Sequence, residues 1–316
     1  MNWSSEVTQH VLLIVFGVLV VASVIGFILS RTTKSDSGRA TVANLNARTK
    51  SWWMMVIVIF GALSLTSPGP AIVFALVSFL ALREFLTATP TRRADHLALF
   101  VAFFMILPYQ FYLVASNWYG MFAIMIPVYA FVLIPMITVV QGDVTDFLER
   151  KARTQWGLMV CVYFISHIPM LLNLNVEPLR MGPAGLVIFL ICVTQGSDVL
   201  QYVWGKLCGK RPIVPKLSPK KTVEGFVGGV VTASLVGMAM FRLTPFTPWQ
   251  AFAVAALLCV TGFFGGLVMS AIKRERGIKD WGTLIEGHGG MLDRIDSLCF
   301  SAPVYYHILR YFFQPD

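Results

Sequence analysis

Residues 182–205 read GPAGLVIFLICVTQGSDVLQYVWG, an apolar run with one charged side chain, Asp198. At about 1.5 Å of rise per residue it is long enough to cross a hydrocarbon core of roughly 30 Å, so it reads as a transmembrane helix. An acid at that depth is expensive in lipid and is by default a candidate functional residue. Tyr202 lies four residues on and shares its face. The bland alternative is a structural Asp paired with a neighbouring helix.

Similar apolar runs extend outward on both sides, at 11–29, 52–66, 70–86, 97–115, 119–140 and 155–172, and then at 226–243, 249–272 and 297–313. The fold expected is all-α: a polytopic integral membrane protein with about nine to ten transmembrane helices. The runs at 52–66 and 70–86 are short and share the turn Ser67-Pro68-Gly69-Pro70, which suits a tight hairpin. The first run is too long for a signal-peptide core and has no Lys or Arg before it, so it is taken as a retained anchor.

Composition agrees. Charged residues make up 13% of the chain, against about 25% in soluble domains. The net charge of +9 would suit nucleic acid, but the basic residues sit in short loops between apolar runs, and no nucleic-acid partner is expected. Of 25 Lys and Arg, 22 fall in five groups, at 31–50, 83–93, 150–153, 206–221 and 273–294. With ten spans these groups share one side, which the positive-inside rule makes cytoplasmic. Cys161, Cys192, Cys208, Cys259 and Cys299 form no CxxC pair and read as small packing residues. Three parts are expected: an N-terminal anchor with a basic polar linker, 1–50; an N-terminal transmembrane bundle, 51–181; and a C-terminal catalytic region, 182–316.

Two further clusters carry chemistry. Gly205-Lys-Leu-Cys-Gly-Lys210 and Ser218-Pro-Lys-Lys-Thr-Val-Glu-Gly225 combine glycines, lysines and hydroxyls before a helix start, a setting that suits phosphates. Alone it reads equally as a topology signal, and Glu224 reads equally as a helix cap. It is not a Walker loop, because the GxxxxGK[ST] spacing is absent. The last cluster runs from Ser270-Ala-Ile-Lys-Arg274 through Lys279-Asp280 and Gly287-His-Gly-Gly290 to Asp293-Arg-Ile-Asp296. Asp293 and Asp296 are three apart, so in a helix their carboxylates share a face and suit Mg²⁺. Lys273, Arg274, Lys279 and Arg294 can neutralise phosphate charge. His288, between glycines, reads as a loop-geometry or phosphate-contact residue, or as a base or ligand.

Together these motifs resemble the signature of CTP:phosphatidate cytidylyltransferases (CDP-diacylglycerol synthases). The resemblance covers roughly 198–303; upstream the likeness is in hydropathy only. It implies transfer of a cytidylyl group from CTP to phosphatidate or a related lipid phosphate, with CDP-diacylglycerol and pyrophosphate as products. It implies Mg²⁺ and leaves a second cation open. The partners implied are CTP, the lipid phosphate and membrane lipids, with a homodimer allowed. The location implied is the bacterial inner membrane with the site facing the cytoplasm. On this reading Lys273, Arg274, Asp280, His288 and Arg294 are catalytic, and Asp293 and Asp296 hold metal. Asp198, Tyr202, Lys206, Ser218, Lys220, Lys221, Thr222, Glu224, Ser270 and Lys279 bind substrate.

One departure stands out. The family carries Gly-Asp before the signature serine, and that Asp belongs to its metal centre; here Gly266 occupies the position, and Met269 stands where an acid is common. The alternatives are a CTP-dependent lipid or polyprenol kinase, and a non-catalytic or transport-type paralogue. Transport predicts paired broken helices in both halves, whereas the polar motifs here lie in one half.

Overall fold

The computed structural model describes residues 6–32, 35–65, 68–177, 179, 182–282 and 289–314. Among them the chain forms ten helices: α1 Glu6–Thr32, α2 Asp36–Ser64, α3 Gly69–Thr87, α4 Arg93–Ala115, α5 Tyr119–Val139, α6 Phe147–Asn173, α7 Ala184–Cys208, α8 Val223–Ala239, α9 Pro248–Glu275 and α10 Leu292–Phe313. Six of these, α3 to α7 and α9, are long and apolar enough to cross a membrane. The protein is thus a polytopic membrane protein. α8 is shorter, at 17 residues, and α10 opens on Asp293, Arg294 and Asp296.

Local sequence explains where the helices begin and bend. Ser35 caps α2 by accepting from the Gly38 N–H, so the polar stretch expected as a linker is helical from Asp36 onward and runs unbroken into the apolar segment. Thr247 and Gln250 form a reciprocal capping box at the start of α9, with Pro248 in its first turn. Wide π-turns interrupt α4 at Ala102–Ile106, α5 at Met125–Ala130 and α6 at Met159–Phe164. Pro127 lies within the second of these, where its missing N–H breaks the regular hydrogen-bond ladder.

The one departure from all-helical structure among the described residues is a hairpin. Strands β1 Pro212–Val214 and β2 Ser218–Thr222 pair antiparallel between α7 and α8. Thr222 ends the hairpin and caps α8, its hydroxyl accepting from the Gly225 N–H at 3.2 Å. α8 then lies against α7 on a glycine face: a methyl group on Gly229 would come within 2.3 to 2.8 Å of Gln201. Small residues of this kind let membrane helices approach closely.

The connections on one end of the bundle interlock through charge. Lys151 of α6 donates to Asp95 at 2.8 Å and to Thr138 at 2.9 Å, and Arg150 donates to Asp143 at 3.0 Å. Arg276, just past α9, lies 3.8 Å from Glu149 of α6. The hairpin contributes Ser218, Lys220, Lys221 and Thr222 of β2 to the wall of the site.

Candidate active site

Four elements supply the site. α7 carries Asp198 and, one turn nearer its end, Tyr202; β2 carries Ser218, Lys220 and Lys221; and the facing turns of α9 and α10 carry Ser270 and Asp296. Their side chains line one cavity of about 330 Å³, with Thr222, Gln201, Phe226, Phe263, Gly266 and Ser297 completing its wall. Eight of the residues expected from sequence therefore meet in one place.

Charge is concentrated there. Asp198 and Asp296 come from different helices yet lie within Coulombic reach of one another, and both interact with the Lys221 ammonium. Ser297 lies beside Asp198, while Asp296 Oδ1 accepts from the Ser297 N–H at 2.7 Å. Lys221 crosses the Phe263 ring, its Nζ 4.5 Å from the centroid. Burial pulls the Lys221 ammonium below the ordinary lysine range; Asp198 and Asp296 oppose that shift and Lys273 adds to it. The Ser270 hydroxyl donates to the Gly266 carbonyl at 2.7 Å, which leaves its lone pairs to the cavity.

The remaining expected residues lie around this centre. Lys206 is exposed, with its ammonium over the Tyr202 ring at 5.3 Å. Glu224 is not the cap of its own helix. Its Oε2 reaches back to accept from the N–H groups of Lys210 and Arg211 at 3.0 and 3.1 Å, and those bonds hold its carboxyl below the usual range. Arg274 donates to the Ile278 carbonyl at 3.2 Å and closes the end of α9. Lys279 and Asp280 are exposed. Arg294 faces an apolar slot of about 120 Å³ on the other side of α10, and its carbonyl accepts from Gln195 of α7 at 3.1 Å. His288 lies outside the described residues.

Asp293 and Asp296 begin the same helix but do different things. Asp293 Oδ1 pairs with Lys273 at 2.6 Å, and its Oδ2 accepts from the N–H groups of Trp281 at 2.7 Å and Gly290 at 2.9 Å. It fastens both ends of the 281–290 stretch to α10, whereas Asp296 lines the cavity. Gly289 holds a φ of +79°, a conformation that L side chains rarely adopt, and a side chain there would meet the Asp293 carboxylate at 2.7 Å.

Several contributors were missed in the sequence. Gln201, Phe226 and Phe263 sit in apolar runs and carry no local signal. Ser297 is marked only by following Asp296. Glu84 belongs to α3, yet its carboxylate accepts from Met291 N and Leu292 N, both at 2.8 Å. The signal available was an acid inside the apolar run 70–86, next to Arg83, which was counted among the basic groups.

Comparison with known proteins matches this arrangement to one family. The model of the cytidylyltransferase family matches residues 46–312. The chain is 38% identical to the uncharacterized protein YnbB of Escherichia coli K12 over 94% of its own length and 96% of that protein's. It is 42% identical over 129 residues to a phosphatidate cytidylyltransferase of Chlamydia muridarum and 46% identical over 114 residues to one of Aquifex aeolicus; these matches cover 39% and 36% of this chain and 42% of each relative. The family match takes in both the N-terminal bundle and the cavity-bearing helices, so the chain as a whole belongs to the cytidylyltransferase family.

Proposed function

We propose that this protein transfers the cytidylyl group of CTP to a lipid phosphate, phosphatidate in the first instance, and releases pyrophosphate and CDP-diacylglycerol. The observation that carries the reading is the convergence of Asp198, Asp296 and Lys221 in one cavity at the basic end of a membrane bundle. Such a cavity lets the acyl chains remain in lipid while a water-soluble nucleotide enters from the aqueous side. We assign that side to the cytoplasm and the membrane to the bacterial inner membrane, on the positive-inside rule.

The chemistry asks for position and charge rather than a nucleophilic side chain. A phosphate monoester has a second pKa of about 6, so the lipid phosphate is already anionic at neutral pH. One of its oxygens attacks the α-phosphorus of CTP. The bond from that phosphorus to the bridging oxygen breaks, and pyrophosphate departs with the electron pair. Lys221 and Lys220 supply positive charge where two anions must be held together, and the hydroxyls of Ser218, Ser270 and Thr222 surround them.

Mg²⁺ fits this donor set. Mg²⁺ binds through one or two carboxylates together with substrate phosphates, and the cavity offers two, Asp198 and Asp296, with the Ser297 hydroxyl beside them. Asp293 is committed to Lys273 and to two backbone N–H groups. When bound, the cation supplies charge neutralisation on the phosphates. The test is purified protein in lipid with Mg²⁺, a panel of lipid phosphates, and CTP labelled at the α- or γ-phosphate. α-Label in the lipid product supports the reading; γ-label there shows phosphoryl transfer, and no labelled lipid refutes both.

A further inference from the structure

We propose that Glu84 is a positioning residue for this reaction: through it the N-terminal bundle sets the orientation of α10 and so the placement of Asp296 in the cavity. The proposal rests on the reading of that cavity as the catalytic centre.

The sequence around the start of α10 supplies no cap of its own. Its N-cap residue is Met291, whose side chain cannot accept from the first helical N–H groups. Those groups carry partial positive charge and require an acceptor. Glu84 provides it from 207 and 208 residues earlier in the chain, with Oε1 on Met291 N and Oε2 on Leu292 N, both at 2.8 Å. A two-oxygen grip fixes the direction of the helix axis as well as its end, because both oxygens must stay in register with consecutive amides.

The surroundings are shaped to this carboxylate. A methyl group on Gly290 would lie 2.3 to 2.7 Å from the Glu84 carboxylate, and one on Gly282 would lie 3.0 to 3.3 Å from the same side chain. Gly290 thus has, in Glu84, a steric reason to lack a side chain. Next along α3, Phe85 packs on Trp281, with ring centroids 5.2 Å apart. α3 therefore holds both described ends of the 281–291 stretch: Phe85 at Trp281, and Glu84 at Met291 and Leu292. Asp293 ties the same two ends to each other through Trp281 N and Gly290 N. One turn further along α10 stands Asp296. A loosened first turn would swing that carboxylate relative to Lys221 and Asp198, which are carried by other elements.

The expected signature separates placement from folding. Glu84→Gln keeps the shape of the side chain but replaces one acceptor oxygen by an NH₂ donor, so one of the two amides is lost. It is expected to lower kcat about tenfold and Glu84→Ala about 10²-fold, the range that follows from a displacement of about 1 Å at a reacting centre. The KM for CTP should stay within about threefold, because Lys220, Lys221 and Ser218 are not held by Glu84; loss of substrate binding alone would instead raise KM with kcat unchanged. In parallel, amide exchange at residues 290–293 should accelerate in the purified Glu84→Gln protein while α7 and α9 keep wild-type protection. Unchanged exchange at Met291 and Leu292 overturns the capping role. Faster exchange with wild-type kcat overturns the link to Asp296. Uniformly faster exchange throughout the chain assigns Glu84 to general folding and also overturns it. The exchange arm reads the clasp without any turnover, so a wild-type protein that makes no CDP-lipid refutes the proposed reaction while the grip on α10 is still judged on its own.

Discussion

Lys273 Nζ stands 2.6 Å from Asp293 Oδ1, an ion pair that joins the last turn of α9 to the first turn of α10 across the described ends of the signature loop. Both side chains are largely buried, at 12% and 5% exposure. Breaking such a pair leaves one charge uncompensated and costs about 3–5 kcal/mol. Asp293→Ala is expected to lower stability by an amount in that range, read as a drop in thermal unfolding temperature in detergent. A variant that keeps wild-type stability and loses only turnover would place Asp293 in direct contact with the reacting groups, as its spacing from Asp296 suggests.

Asp198→Asn and Asp296→Asn should behave in the opposite way. Both carboxylates line the cavity, and their loss removes charge from the site without opening the loop clasp. Each is expected to lower kcat by about 10²-fold or more, comparable to losing a key electrostatic contact in a transition state, with little change in unfolding temperature. Near-normal turnover in either variant contradicts the proposed donor set.

Lys221 is expected to give the reaction an alkaline limit. An exposed lysine titrates at about 10.4, and burial lowers the Lys221 value despite the opposing pull of Asp198 and Asp296. The ammonium is the binding form, so it is present on the acid side and lost as pH rises, earlier than from an exposed lysine. The profile of kcat/KM for CTP should fall along a limb below that ordinary value. Lys221→Arg keeps its charge at every accessible pH and should move the limb upward. Lys221→Ala should raise the KM for CTP across the whole range. A limb that stays in place in Lys221→Arg assigns it to another group.

Gly265 and Gly266 are adjacent but serve different purposes. A methyl group on Gly265 would sit 2.5 Å from the Phe300 ring, while one on Gly266 would make ordinary contacts, 3.4 Å to Ser297 Oγ and 3.5 Å to Lys221 Nζ. Gly265→Ala is expected to destabilise by about 1–3 kcal/mol through overpacking, and Gly266→Ala to be close to neutral. Gly266→Asp directs a carboxylate toward Lys221 and should lower the Mg²⁺ concentration that gives half-maximal turnover. If Gly266→Asp only destabilises the protein, as is expected of Gly265→Ala, the position is one of packing.

Cys208 offers a native probe of sidedness. It ends α7 beside the basic hairpin and is exposed, whereas Cys161, Cys259 and Cys299 are buried and Cys192 is half-buried. A membrane-impermeant maleimide should label it in inverted inner-membrane vesicles and leave it unlabelled in intact cells. The reverse pattern would put the cavity on the other side of the membrane.

The helices were legible because membrane helices announce themselves by apolar length. Asp198 drew notice because a charge inside such a run is expensive in lipid, Lys221 because it sits among glycines and hydroxyls before a helix start, and Asp296 because of its spacing from Asp293. What spacing leaves open is the divergence of Asp293 and Asp296. Three residues put two side chains on one helix face, but which groups meet them depends on how Trp281 and Gly290 fold back, a long-range matter. Glu84 was hidden for the same reason. Its partners are backbone amides more than two hundred residues away, and a backbone amide leaves no trace in sequence. The hairpin was hidden by composition, since Lys216, Lys220 and Lys221 read as a charged loop until Pro212–Val214 and Ser218–Thr222 pair.

The distance between Glu84 and its partners also bears on how the protein is made. The carboxylate leaves the ribosome 208 residues before Leu292 does, so α3 enters the membrane long before its acceptor role can be filled. Chains caught part-way can already display Asp198 and the lysines of the hairpin, a surface able to attract nucleotide. They lack Asp296, and nothing yet holds the far wall of the cavity. On the proposed reading, full turnover is therefore expected only after α3 and α10 have both been inserted and Glu84 has met Met291 and Leu292. A chain stopped short of Asp296 is then expected to be an inert membrane stub rather than a partial enzyme that depletes CTP.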